Sequence, residues 1–307
     1  MGFTNGHTHV LKMRFANNTM ERIRDIWQFR YYVGSKIFES LGVLMLLYEL
    51  LTLIKPIEDV VSNHKSYAFI IIVLISLCYA LYGLFCPPKK ITLDINKRTR
   101  LNIRQGNLME ADGVKIIPVN EYFDTHLGNG IINKKSVHGQ FLSLYEGHIN
   151  ELRNKIDKQL EKFEALPSNR NRTMVPNLPN KRYPLGTCIR IVDDEQYYIL
   201  VAVTRFDEYE HVEVSTEEFP EVVRKMFNGI EHLQDGKPVY LPLVGSGISG
   251  YELTNMQILN TIVQAAQMAN RLCVTNGLNL YIYSDEQMNS INLNVIKYLY
   301  NRWITLK

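Results

Sequence analysis

The sequence predicts a layered α/β domain carried behind a two-helix membrane hairpin, and three observations predict it. Residues 67–86 (YAFIIIVLISLCYALYGLFC) run for twenty positions without a charge. From residue 90 onward short apolar strands alternate with helical periods, the pattern of a sheet covered on both faces. Within that alternation, residues 239–263 (VYLPLVGSGISGYELTNMQILNTIV) read as strand, glycine turn and helix, an arrangement suited to an anionic ligand.

The apolar run at 67–86 covers roughly 30 Å at about 1.5 Å per residue, one hydrocarbon core. Pro87, Pro88, Lys89 and Lys90 end it, and it lies too far from the N-terminus for a signal peptide. Residues 37–54 (IFESLGVLMLLYELLTLI) form a second, weaker span, bracketed by Lys36 and Lys55. Glu39 sits near the headgroup level, but Glu49 falls inside the apolar stretch, where a carboxyl group is costly. Two readings of Glu49 stay open: protonated or near an interface, or lining a helix–helix contact or a conducting path. The short connection at 55–66 makes the pair a hairpin. Lys12, Arg14, Arg22, Arg24, Arg30 and Lys36 precede it, and Lys89, Lys90, Lys97, Arg98, Arg100 and Arg104 follow it. That bias places both ends of a multi-pass membrane protein in the cytoplasm. Residues 20–32 suit an interfacial helix or a plain cytoplasmic one. The expected domains are 1–32, a cytoplasmic or interfacial segment; 33–88, the hairpin; and 89–307, a ligand-binding domain.

Composition excludes other classes. A net charge of +3 over 307 residues, with no basic block interleaved with aromatics, argues against nucleic acid. Cys78, Cys86, Cys188 and Cys273 are scattered without a CxxC, so neither a metal site nor a disulfide framework is indicated. The start MGFTNG lacks the Ser or Thr of a myristoylation signal.

In the soluble part, residues 90–95, 100–104 and 114–120 (VKIIPVN) read as strands, the last one buried. Residues 141–163 carry a helical period through Leu144, Tyr145, His148, Ile149, Leu152, Ile156 and Leu160. The stretch 168–184 is a polar loop whose Arg170, Arg172, Lys181 and Arg182 read as solvated. Strands are expected at 186–192 and 197–203, then a helix opened by a Ser215–Glu218 capping box. After the glycine turn come a helix ending near 277, a strand at 280–284 and a last helix to about 303.

Gly245, Gly247 and Gly250 fit G-x-G-x-x-G, and amides from 247 to 250 at a helix mouth would cradle a diphosphate. The Rossmann reading lacks its acidic residue about 20 positions on, and no Walker lysine is present, which argues against NTP hydrolysis. A tight turn with no ligand is the plain alternative.

The string from Leu241 to Gly250 (LPLVGSGISG) resembles the second phosphate-binding loop of macro domains. Gly106-Asn-Leu108, Ile116-Ile-Pro-Val-Asn120 and residues 128–139 resemble, in order, the other macro ligand elements. The strings IPVNEYFDT (117–125) and SVHGQ (136–140) are similar to the macro-domain effectors of type II Thoeris anti-phage systems, which also carry two N-terminal membrane helices. The resemblance implies a three-layer α/β/α macro-like domain with a mixed sheet. It also implies a receptor rather than an enzyme: a TIR-domain partner converts NAD into a histidine–ADP-ribose type signal, and the macro domain binds it. The chains then form a homo-oligomer in the lipid bilayer and disrupt the membrane, leading to abortive infection. Under that resemblance Gly245, Ser246, Gly247, Ile248, Ser249 and Gly250 hold the diphosphate, Tyr251 is a further ligand-binding residue, and Asn107 lies near the adenine. Asn120 faces the distal ribose with Asp124 and Gly130 close by, while His126 and His138 are further candidate contacts. No catalytic residue, metal or cofactor is implied beyond the ADP-ribose conjugate itself. Asn107 stands where most macro domains have Asp. Asn120-Glu-Tyr-Phe replaces the hydrolase turn, and an ADP-ribosyl hydrolase is the competing reading.

Overall fold

A computed structural model describes residues 26–55, 64–127, 132–167, 172, 178–207, 211–247, 251–269 and 271–304. Two compact units emerge: the N-terminal part to Pro88 with Asn292–Leu299, and Lys89–Ile291 with the end of the chain from Tyr300.

The first unit holds helices α1 (Arg30–Thr52) and α2 (Lys65–Phe85), packed side by side. A Cβ at Gly83 would meet the Tyr32 hydroxyl, so the end of α2 lies beside the start of α1. The contact face of α2 is Ile72, Ser76, Ala80 and Leu84, one residue per turn. Its other faces are bare, with Phe69, Ile70, Ile71, Leu74 and Ile75 each at least half exposed. Among the described residues, α2 is the one helix long and apolar enough to cross a membrane. The expected first span does form a helix, but Lys36 is drawn to Glu39 at 2.6 Å and Glu49 is exposed. Glu49 therefore does not line the contact with α2. The Asn292 and Asn294 side chains donate to the Leu84 and Gly83 carbonyls at 2.6 and 2.7 Å. They satisfy acceptors that the end of a helix otherwise leaves open.

The second unit is built on one mixed sheet. Its strands are β1 (Lys90–Asp94), β2 (Arg100–Gln105), β3 (Val114–Asn120), β4 (Cys188–Asp193), β5 (Gln196–Phe206), β6 (Val212–Glu213), β7 (Val239–Pro242) and β8 (Leu278–Ile282). The order is β1-β2-β8-β7-β3-β5-β4, with β6 on β5. The five strands from β2 to β5 run parallel, and the antiparallel β1 and β4 close the two edges. β3 is central and takes partners on both sides, which is why its sequence is a continuous apolar run rather than an alternation. One face of β3–β5–β4 packs Ile117, Val119, Leu200, Ala202, Ile189 and Ile191 under helices α3 (Val137–Ser143) and α4 (Ile149–Leu160). Helix α5 (Phe219–Leu233) lies on β4 and β5 and against helix α6 (Asn255–Met268), burying Val222, Met226 and Ile230. After β8 come α7 (Asp285–Asn289) and α8 (Leu293–Ile304).

Four expectations need correction. The single helix over 141–163 is two helices, because Gly147 takes φ +92° and stops the first, leaving Leu144 exposed. The Ser215–Glu218 box does not form. Glu218 accepts from Arg205 at 2.8 Å instead, and Pro220 sits in the first turn of α5. The capping box belongs to Thr254 and Gln257 at the start of α6. That helix therefore begins eight residues past Gly247, not at the glycine turn, and its first amides are already capped. It ends at Met268 rather than near 277.

Candidate functional site

Parallel strands leave their C-terminal ends together, and loops leaving those ends enclose a crevice. Here the ends of β2, β3, β5, β7 and β8 surround a cleft of about 310 Å³. Its floor begins at Asn120, where the β3–β5 register slips and Asn120 pairs with Thr204. The Asn120 Oδ1 accepts from the amides of Tyr122 and Asp124 at 3.1 and 3.3 Å, and its Nδ2 donates to Asp124 at 2.9 Å. One carboxamide thus shapes the whole turn, including Phe123 at φ +51°.

Asp124 is fully buried and receives both terminal nitrogens of Arg172, each at 2.8 Å. The guanidinium lies 3.9 Å from the Tyr122 ring centroid and also donates to the Pro179 carbonyl at 3.0 Å. Arg172 was expected to be solvated, yet its side chain is 1% exposed. The reason is the partner: a buried carboxylate 48 positions away that no local pattern reveals. Arg182 too is held, donating to the Pro167 carbonyl at 2.9 Å.

One wall is residues 132–140. The Asn133 Oδ1 accepts from the Lys135 amide at 2.8 Å, the Asn133 carbonyl takes the Ser136 amide and hydroxyl, and Ser136 caps α3 through the Gly139 amide. A Cβ on Gly139 would stand 2.1 Å from the Asn133 carbonyl oxygen, so only glycine closes this turn. His138 follows, buried and facing the cleft. Burial pushes its imidazole down to about 4, partly offset by a hydrogen bond with the Asp124 backbone, so at neutral pH it carries no charge.

A second wall is the turn after β7. Gly245 takes φ +92° beside the Phe219 ring, and the Ser246 hydroxyl donates to the Leu243 carbonyl at 2.6 Å. Gln287 of α7 donates to the same hydroxyl at 2.9 Å and braces the turn. The amides of Gly245 and Gly247 donate to nothing among the described residues. Two free donors on a loop of this kind favour an anion. A third side carries Asn107, whose Oδ1 accepts from the Met109 amide at 3.1 Å and whose Nδ2 donates to Glu110 at 2.8 Å. Beside it Tyr281 packs so close that a Cβ at Gly106 would meet its ring at 2.9 Å. Phe206, Tyr281 and Tyr283 give the cleft its aromatic surface.

The cleft thus brings together Asn107, Asn120, Gly245, Ser246, Gly247 and His138. Asp124 and Tyr251 were expected there but are not among its lining residues. Asp124 is the inner anchor of Arg172, and Tyr251 is buried with its hydroxyl on the Val203 carbonyl at 2.8 Å. Gly130, Ile248, Ser249 and Gly250 lie outside the described residues, as does Arg170. His126 is described but does not line the cleft. Sequence reasoning missed Lys135, Phe206, Tyr281 and Gln287. The Ser284-x-x-Gln287 spacing was a readable helix start, and Ser284 does accept the Gln287 amide at 3.1 Å. No cluster able to hold a metal ion is found among the described residues.

A family model described as "Thoeris protein ThsA, Macro domain" matches residues 101–283. The chain belongs to the Thoeris ThsA macro-domain family. The matched residues run from β2 to the end of β8 and contain the described lining residues of the cleft except Ser284 and Gln287. Thoeris protein ThsA of Bacillus amyloliquefaciens (strain Y2) is 27% identical over 234 residues, covering 73% of this chain and 75% of that protein. Among solved structures, a mutant Oceanobacillus iheyensis macrodomain with ADPR is 14% identical, with a TM-score of 0.45, over 68% of this chain and 98% of that one. A Trypanosoma brucei macrodomain in complex with ADP-ribose is 13% identical, with a TM-score of 0.37, over 64% and 68%.

Proposed function

We propose that the chain is a membrane-anchored anti-phage effector whose macro domain receives an ADP-ribose-derived signal. The observation that carries this reading is a cleft in a Thoeris ThsA macro domain where, among the described residues, the amides of Gly245 and Gly247 are unpaired and no acidic side chain lines the wall. Its volume suits one nucleotide-sized ligand. In this reading a TIR-domain partner makes a histidine–ADP-ribose type signal from NAD. The hairpin sits in the bacterial inner membrane with both chain ends cytoplasmic, which the bare apolar faces of α1 and α2 support. Ligand binding favours a homo-oligomer, and the assembled hairpins disrupt the bilayer and abort infection. The ligand must then bind the assembled form more tightly than the free chain, by the ratio in which populations change.

Binding without turnover is part of the reading. The Asn120 carboxamide is spent on its own turn and on Asp124, so it is not free to orient an attacking water. Calorimetry with ADP-ribose and its histidine conjugate, paired with size analysis in detergent, tests the proposal. Binding with a ligand-dependent rise in size is expected. Absence of binding overturns the receptor reading, binding at constant size overturns the gating, and release of ADP-ribose from a modified substrate establishes the hydrolase instead.

A further inference from the structure

The cleft's lining contains Lys135 as its one charged side chain at neutral pH among the described residues: no Asp or Glu lines it, and His138 is neutral there. Lys135 is exposed, and among the described residues no carboxylate lies within ion-pair distance of its ammonium. Its backbone is fixed on both sides. Its amide donates to Asn133 at 2.8 Å and its carbonyl accepts from the Gln140 side chain at 3.1 Å. A lysine with a fixed base and an uncommitted head, lining the same cleft as two glycine amides unpaired among the described residues, is placed to meet a negative charge that they hold. We infer that Lys135 is a specificity residue for the anionic part of the ligand, supplying the counter-charge that distinguishes a diphosphate from a neutral nucleoside. The inference rests on the receptor reading and names how its site selects charge.

Lys135 is exposed and makes no ion pair, so replacing it leaves the fold intact, which a melting curve checks. With the full chain in detergent, Lys135→Ala weakens ADP-ribose binding on the order of tenfold and Lys135→Glu by more. Lys135→Arg restores most of the affinity, and competition by neutral adenosine is unchanged in all variants. Raising salt weakens the wild type and has much less effect on Lys135→Ala. If Lys135→Ala binds ADP-ribose as the wild type does, or loses ADP-ribose and adenosine equally, the inference is overturned and the receptor reading stands. If the wild type itself does not bind ADP-ribose, the receptor reading falls first, and this inference with it.

Discussion

Replacing Arg172 with leucine is the sharpest test of how the cleft floor is held. The wild-type pair consists of two 2.8 Å charge-assisted bonds between side chains that are 1% and 0% exposed. Arg172→Leu removes both bonds and leaves the Asp124 carboxylate buried with the Asn120 amide alone. Breaking a buried pair from one side costs about 3–5 kcal/mol, because the remaining charge has no water to return to. In a unit of roughly this size each kcal/mol moves the melting temperature by about 2–4 °C. A drop of about 6–20 °C is therefore expected by circular dichroism. Asp124→Asn alone is also destabilising, since it buries the guanidinium without its counter-ion. The double variant should recover part of the sum, with a coupling of about 2 kcal/mol or more. A loss below about 1 kcal/mol for Arg172→Leu, the value of an exposed pair, refutes the argument.

Four further outcomes follow from the structure. His138 titrates near 6.5 unfolded and about 4 folded, so its contribution is fully present above pH 6.5 and is lost as pH falls toward 4. Urea unfolding should register about 3 kcal/mol over that window, and His138→Gln should flatten the curve. Gly139→Ala drives a Cβ into the Asn133 carbonyl and should cost about 1–3 kcal/mol by thermal melting. Gly247→Ala meets nothing within 4 Å and should stay within about 0.5 kcal/mol. Thr254→Ala opens the capping box of α6, and a loss of about 1 kcal/mol in denaturant melts is expected.

Much of the sheet was legible because buried parallel strands announce themselves. VKIIPVN at 114–120 has no polar alternation, and it became the central strand with neighbours on both sides. The glycine turn was legible as a strand end followed by small residues, Asn107 and Asn120 came from the macro-domain resemblance, and the fold gathers all three at one cleft. Long-range partners were not legible. The loop around Arg172 is polar in composition, and nothing local reports that its guanidinium is drawn into Asp124. Helix starts were half legible. Ser215 with Glu218 and Thr254 with Gln257 carry the same pattern, but Arg205 from β5 takes the Glu218 carboxylate and leaves one box intact.

The correction at Asp124 also bears on what the cleft can do. A carboxylate pointing into the cleft would repel a diphosphate and offer a base. Here it is turned inward and neutralised by Arg172, and the Asn120 amide is turned inward with it. The polar groups of the floor are therefore committed to the fold. Those of the walls, the amides of Gly245 and Gly247 and the Lys135 ammonium, have no partner among the described residues. The uncommitted groups of the walls are donors, and donors without partners suit an anion, which is the chemistry the proposed receptor role needs.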